Sequence, residues 1–178
     1  ADKVSGERLR DELNKILMAE DRESTLSALE DLLETGVLEI VLPELYGMKG
    51  VAQPTQYHHE GDVWEHAKRS LDALSKYASL NVRWATLLHD VGKPVTFKLK
   101  ERIRFDHHAQ EGAKIANQLL RRLAFSRKDI DEITWLIEHH MMLPQLLDMP
   151  LGRQRHWFLL PNFSDLLAVF EADIAGTD

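Results

Sequence analysis

Apolar residues recur at helical spacing along nearly the whole chain, and this periodicity restricts the fold to packed helices. Stripes of this kind run through residues 5–19, 24–36, 62–78, 81–91, 107–124, 126–140 and 164–176. Around Lys100 and Glu101, apolar and charged residues alternate instead, which predicts a small β-hairpin or extended loop near residues 95–105. The chain is therefore predicted to be all-α, with this hairpin as a local exception.

The starts of four helices carry residues that commonly cap helices. Ser24, Asp62 and Asn81 each precede a periodic segment, and Ser126 with Asp129 resembles a capping box. These residues are predicted to accept hydrogen bonds from the first free backbone N–H groups of their helices.

The chain has 178 residues, enough for one domain or for one domain with a small appendage. We place a boundary in the loop near residues 50–57, which predicts a helical neck over residues 1–56 and a main domain over residues 57–178. The chain begins without methionine and ends soon after a helical run, which suggests a segment of a longer protein.

The composition excludes several kinds of site. There is no cysteine, so a metal site must use histidine, carboxylate and water, which suits Mn, Fe, Co, Ni or Zn, with Mg as a further option. The net charge of −7 argues against a surface that binds nucleic acid throughout, although local basic patches remain compatible with it. No apolar run approaches the ~18 residues of a membrane-spanning helix, so we expect no membrane partner and a cytoplasmic location.

The directions of the histidines indicate where a site would lie. The helical spacing directs four histidines and one aspartate to or beside apolar faces: His66, His89, His108, His140 and Asp173. Each histidine alone is compatible with a hydrogen-bonded core residue, and a bundle without metal remains an alternative. An inward aspartate needs a cation or several donors, and five such positions on five helices therefore favour a metal site.

The string "HDVGKP" at residues 89–94 sharpens this interpretation. Together with His66 earlier in the chain and Asp173 much later, it resembles the pattern of the HD superfamily of metal-dependent phosphohydrolases. The segments "VSGERLRDELNKIL", "HHEGDVWEHAKRSLD" and "WATLLHDVGKPVTF" resemble the neck and HD domain of bacterial CCA-adding enzymes and poly(A) polymerases, from Val4 to the end. The Gly-Ser strand and Asp-x-Asp pair of that family's nucleotidyltransferase head have no counterpart, so we expect no nucleotide addition by this chain alone.

The resemblance and the helical faces together imply a set of ligands. One divalent ion would be held by His66, His89, Asp90 and Asp173, and a second by His108 and His140, with Asp90 bridging. Lys93 would contact a substrate phosphate beside the catalytic Asp90, and Gly92 would allow the tight turn that brings it there. The family usually has Gly-His where this chain has His107-His108, so His107 and likewise His139 are alternative ligands.

Two functions are compatible with these features. The first is a phosphohydrolase that uses one or two divalent ions to hydrolyse nucleotides or RNA-end phosphates, such as 2′,3′-cyclic phosphates. The second is a non-catalytic RNA-binding neck and body of a tRNA CCA-adding enzyme, with tRNA as the partner. His58 and His59 belong to a polar loop or contact the substrate.

Overall fold

The computed structural model describes residues 4–53 and 61–177. The neck contains α1 (Gly6–Leu17), α2 (Arg22–Glu34), α3 (Val37–Val41) and α4 (Pro43–Tyr46). The later helices are α5 (Val63–Ala73), α6 (Leu80–Leu88), α7 (Lys93–Thr96), α8 (His108–Arg122), α9 (Arg127–His139), α10 (Leu143–Leu146), α11 (Leu151–Phe158) and α12 (Phe163–Ala175). Strands β1 (Phe97–Leu99) and β2 (Ile103–Phe105) lie between α7 and α8. The all-α prediction and its hairpin are confirmed.

The hairpin is antiparallel and joins α7 to α8. Phe97 pairs with Phe105, and Leu99 pairs with Ile103. Lys100 N–H donates to Arg102 O at 3.3 Å across the turn. Because β2 ends three residues before His108, the hairpin sets the position at which α8 begins.

Two of the predicted helix caps are confirmed. Asp62 accepts a hydrogen bond from Glu65 N–H at 2.9 Å at the start of α5. Ser126 accepts one from Asp129 N–H at 3.1 Å at the start of α9. Both helices therefore begin where the sequence predicts, and each later carries a histidine of the candidate site.

Two other predicted caps are wrong. Helix α2 is capped by Asp21, whose carboxylate accepts from Ser24 N–H at 3.0 Å, so Ser24 lies inside the helix. Helix α6 is capped by Ser79 and not by Asn81, because Ser79 Oγ accepts from Val82 N–H at 3.3 Å. In both cases another residue that commonly caps helices lies a few positions earlier in the chain, and its side chain accepts the hydrogen bond from the first turn instead.

The neck and the later helices share one apolar core. Leu17 of α1 and Trp84 of α6 are both buried in it. Trp84 Nε1 donates to Asn14 Oδ1 at 2.8 Å, and buried Arg83 donates to the Leu17 carbonyl at 2.6 Å. The boundary near residues 50–57 stays a prediction, since residues 54–57 of that loop lie outside the described residues.

Within residues 4–53 and 61–177, every helix is too short or too polar to cross a bilayer.

Candidate metal centre

Five helices bring six ionisable side chains to one place in the core. His66 lies on α5, and His89 and Asp90 directly follow the end of α6. His108 begins α8, His140 directly follows α9, and Asp173 lies on α12. Four of them are essentially inaccessible to solvent: His66, His89, Asp90 and His140. The side chains of His108 and Asp173 keep 13% and 19% exposure, so they mark the side open to solvent.

The first cluster is formed by His66, His89 and Asp173. The Nε2 atoms of the two histidines lie 3.2 Å apart. Asp173 Oδ1 lies 2.9 Å from His66 Nε2 and 3.5 Å from His89 Nε2. One nitrogen or oxygen of each side chain therefore points to a common position.

The second cluster is formed by Asp90, His108 and His140. The Nε2 atoms of the two histidines lie 3.3 Å apart, and Asp90 Oδ1 lies 3.4 Å from His108 Nε2. The other oxygen, Asp90 Oδ2, lies 3.3 Å from His89 Nε2 in the first cluster. The carboxylate of Asp90 thus faces both clusters, one oxygen to each.

Backbone carbonyls fix the tautomers of three of these histidines. The Nδ1 atoms of His89, His108 and His140 lie 2.7, 2.9 and 2.7 Å from carbonyl oxygens three residues earlier in the chain. A carbonyl only accepts hydrogen bonds, so each Nδ1 carries the proton and each Nε2 of a neutral ring has a lone pair. The lone pairs of His108 and His140 then face each other, which favours a cation between them.

Electrostatics assigns opposite charges within the centre when no metal is bound. Burial disfavours a charge on His89, but the carboxylates of Asp90 and Asp173 outweigh it and raise its pKa to about 10. Burial also disfavours ionised Asp90, yet the positive charges of His89 and Lys93 hold its pKa well below the usual value. A proton on His89 therefore supplies positive charge where a metal ion would supply more.

The second cluster stays neutral on its histidines. Burial lowers the pKa of His140 to about 4, and burial also lowers the pKa of His108. The pKa of Asp173 is lowered as well, because hydrogen bonds with His66 and His89 exceed the effect of burial. Near neutral pH His108 and His140 are therefore neutral imidazoles beside the carboxylate of Asp90, which is the form in which both kinds of group bind metals.

The donor set fits divalent transition metals. With bonds of about 2.1 Å, neighbouring ligands of one ion lie about 3.0–3.4 Å apart. The distances within the two clusters run from 2.9 to 3.5 Å and are close to this range. Buried Asp90 Oδ2 makes no hydrogen bond with the described part of the chain, and its contact with Lys93 is an ion pair outside hydrogen-bond angles. Nitrogen and carboxylate ligands suit Mn, Fe, Co, Ni or Zn.

Lys93 is part of the centre and is not a solvated turn lysine. It is 6% exposed, and its Nζ lies 2.6 Å from Asp90 Oδ2. Its other oxygen contact, also at 2.6 Å, is Gln53 Oε1, and the ring of Phe105 lies 5.3 Å away. The ammonium is thus held at the edge of the ligand set.

The expected reason for Gly92 is wrong. Its φ of −83° and ψ of −13° are open to any residue, so the turn itself does not require glycine. A Cβ there would lie 2.1 Å from His108 O and 2.6 Å from Gly112 N. Gly92 is needed because the backbone before Lys93 packs directly against α8.

The alternative ligands lie outside the two clusters. His107 is exposed and has a φ of 64° at the start of α8. His139 donates Nδ1–H to Trp135 O at 2.8 Å, and its ring stacks on Trp135 at 4.6 Å. His58 and His59 lie outside the described residues.

Sequence reasoning missed Gln53 as a neighbour of the site. It lies in an irregular segment before α5, where no helical or strand period indicates which way a side chain points. The preference of glutamine for solvent also argued against a position that is 4% exposed.

Two family models match the chain in succession. Residues 2–48 match the family described as "Probable RNA and SrmB- binding site of polymerase A". Residues 63–156 match the HD domain family, and this segment contains all the centre's ligands except Asp173.

Curated relatives align over most of the chain. An A-adding tRNA nucleotidyltransferase of Deinococcus radiodurans is 38% identical over 94% of this chain and 38% of its own length. A CC-adding tRNA nucleotidyltransferase of Thermus thermophilus is 34% identical over 97% of this chain and 40% of its own length. A multifunctional CCA protein of Vibrio campbellii is 30% identical over 97% of this chain and 44% of its own length.

The chain therefore spans about two fifths of the length of these relatives. Together, the two family matches and the relatives confirm the resemblance described above. The chain belongs to the HD domain family, and it corresponds to the neck and HD region of the CCA-adding enzyme and poly(A) polymerase family.

Proposed function

We propose that this chain is a metal-dependent phosphohydrolase that acts on nucleotides or RNA-end phosphates, such as 2′,3′-cyclic phosphates. The observation that supports it most is the position of Asp90 between two clusters of imidazole and carboxylate ligands. We assign His66, His89, Asp90 and Asp173 to one ion and Asp90, His108 and His140 to a second. The neck over residues 1–56 and the HD domain over 57–178 remain the proposed division.

The chemistry follows from the donors. A divalent ion held by these residues would lower the pKa of its water from ~15.7 towards neutrality and so would supply hydroxide. The backbone carbonyls orient the imidazoles, and burial keeps bulk water away from His66 and His140. In this proposal Lys93, which lies beside Asp90, donates to a phosphate oxygen and stabilises the negative charge that develops there.

RNA supplies the substrate class in this proposal. The match of the neck to an RNA-binding family and the names of the relatives both favour tRNA or another RNA as the partner. A parent protein related to tRNA nucleotidyltransferases, with a cytoplasmic location, is consistent with this substrate. We assign no nucleotide addition to this chain alone.

A second function has support of its own. The neck packs against α6 through the apolar core and through buried Arg83, as expected of a rigid body that holds RNA. In that case the HD fold would support the RNA and the ligand set would not turn over substrate. The match of residues 2–48 to an RNA-binding family favours this alternative as well.

Hydrolysis of 2′,3′-cyclic AMP by purified protein tests the first function. We expect activity with added Mn²⁺, Ni²⁺ or Co²⁺ and loss of activity with chelator. Asp90→Ala should abolish both activity and metal binding, because it removes the carboxylate that faces both clusters. His107→Ala is the matched control, since exposed His107 should leave both unchanged.

Two results would overturn the proposal. One is metal-loaded wild-type protein that hydrolyses neither cyclic phosphates nor nucleotide monophosphates. The other is equal loss of metal in Asp90→Ala and His107→Ala. If tRNA binding in an electrophoretic shift assay is then the same for wild type and Asp90→Ala, the RNA-binding function takes precedence.

A further inference from the structure

Gln53 reaches the candidate metal centre from the segment between α4 and α5. Its Oε1 accepts a hydrogen bond from Lys93 Nζ at 2.6 Å. Its Nε2 donates to the Asp62 carbonyl at 3.4 Å. The buried amide therefore connects the start of α5 with the lysine that follows the His-Asp pair.

The backbone beside Gln53 is tied to the same end of α5. Ala52 and Asp62 form an antiparallel bridge. Gly50 N–H donates to Asp62 Oδ2 at 2.5 Å. Since α5 also carries His66, the amide of Gln53 has a fixed position relative to the first ligand cluster.

Lys93 is shared between two oxygens of different kinds. Asp90 Oδ2 is a charged carboxylate oxygen that also faces His89 Nε2 at 3.3 Å, and it belongs to the ligand set. Gln53 Oε1 is neutral and lies outside that set. A metal ion that uses Asp90 Oδ2 must compete with the ammonium, because both cations require the same oxygen.

We propose that Gln53 is a positioning residue that draws the Lys93 ammonium towards itself and so leaves Asp90 Oδ2 available to a metal ion. The proposal rests on the metal centre assigned under the proposed function. It also connects the segment between α4 and α5 with that centre, since Gln53 precedes α5 and Lys93 follows α6. Without the amide oxygen, the ammonium would be bound mainly by Asp90.

A double-mutant cycle on the full chain tests this role. Mn²⁺ dissociation constants are measured by competition with a fluorescent chelator, which requires no enzymatic activity. We expect Gln53→Ala to weaken Mn²⁺ binding about tenfold, a usual effect of removing a residue that supports a ligand. Lys93→Met should strengthen binding, because it removes the competing cation. In the Lys93→Met background, Gln53→Ala should change the affinity by less than about twofold.

Two further variants separate positioning from a general structural role. Gln53→Glu keeps an oxygen acceptor for Lys93 and should bind Mn²⁺ at least as tightly as wild type. Gln154→Ala removes a glutamine of α11 that donates to the carbonyls of Leu147 and Met149, and it should leave Mn²⁺ affinity unchanged.

The outcomes distinguish this inference from the proposed function. An equal loss of Mn²⁺ affinity in both backgrounds, or no loss in Gln53→Ala, overturns the role of Gln53. A wild-type chain that binds Mn²⁺ but hydrolyses no phosphoester overturns the proposed function alone, and the affinity cycle still decides the role of Gln53. If the wild-type chain binds Ni²⁺ or Co²⁺ but no Mn²⁺, the affinity cycle is measured with the ion that binds. A wild-type chain that binds none of these ions overturns both.

Discussion

His108 and His140 show at the residue scale why the centre favours a cation. The carbonyls of Phe105 and Ile137 accept hydrogen bonds from the Nδ1–H groups, so the Nε2 atoms carry lone pairs and lie 3.3 Å apart. Helical spacing predicts that both residues face inward. It does not predict the tautomer, because that depends on which carbonyl each ring reaches after the helices have packed.

Metal binding should release a proton from His89. With a pKa of about 10 in the metal-free centre, this imidazole is protonated at pH 7.5 and must lose its proton to coordinate. We therefore expect about one proton released per chain, and an affinity that increases as the pH rises from 7 towards 10.

Calorimetric titration with Mn²⁺ in buffers of different ionisation enthalpy measures this release. His140, with its pKa of about 4, should contribute none. A binding enthalpy that is the same in all buffers would contradict the assigned charge of His89.

At the scale of elements, the approach of α7 to α8 brings the backbone just before Lys93 against the backbone of His108. The sequence shows the glycine and the helix that follows, but the reason for Gly92 is a distance between two backbones that are far apart in the chain. The same limit explains the wrong caps at Ser24 and Asn81, since neighbouring capping residues compete and local sequence does not rank them. Periodicity did predict the long helices, and it failed for short ones such as α10 and α11.

Gly92→Ala should destabilise the fold and weaken metal binding. The new methyl group would overlap His108 O and Gly112 N, so α7 and α8 must move apart at a cost of about 3 kcal/mol in the free energy of unfolding. Urea unfolding measures the stability, and elemental analysis measures the bound metal.

Gly152→Ala on α11 is the matched control for this substitution. Apart from the neighbouring residues in the chain and the backbone of its own helix, no atom of the described residues lies within 4 Å of the position where its Cβ would be. Alanine there should be neutral or slightly stabilising, since it favours helix. Equal destabilisation by both substitutions would show that the contact with α8 does not matter.

At the scale of the whole molecule, the neck and the HD helices fold around a common core. Arg83 donates to the carbonyls of Leu17, Lys76 and Ala78 at 2.6, 2.8 and 3.1 Å while only 5% exposed. Sequence composition did not predict this contact, because arginine in a helix is usually exposed. The resemblance did predict both segments and their order, which the family matches confirm.

Arg83→Met should weaken the attachment of the neck. Three carbonyls, of which that of Leu17 is buried, would lose their donor, which we expect to lower the free energy of unfolding by about 3 kcal/mol. Exposed Arg8→Met in α1 is the control and should change stability little. Thermal unfolding with chelator present measures both, and similar stability of the two variants would contradict the role of Arg83.

The number of metal ions per chain tests the central claim most directly. Protein purified without chelator or a histidine tag, then equilibrated with Mn²⁺, Ni²⁺ or Fe²⁺ and freed of unbound metal, is measured by elemental analysis. The two clusters joined by Asp90 predict close to two ions per chain. One ion would restrict the site to a single cluster, and protein that retains no metal under any of these conditions would contradict the account.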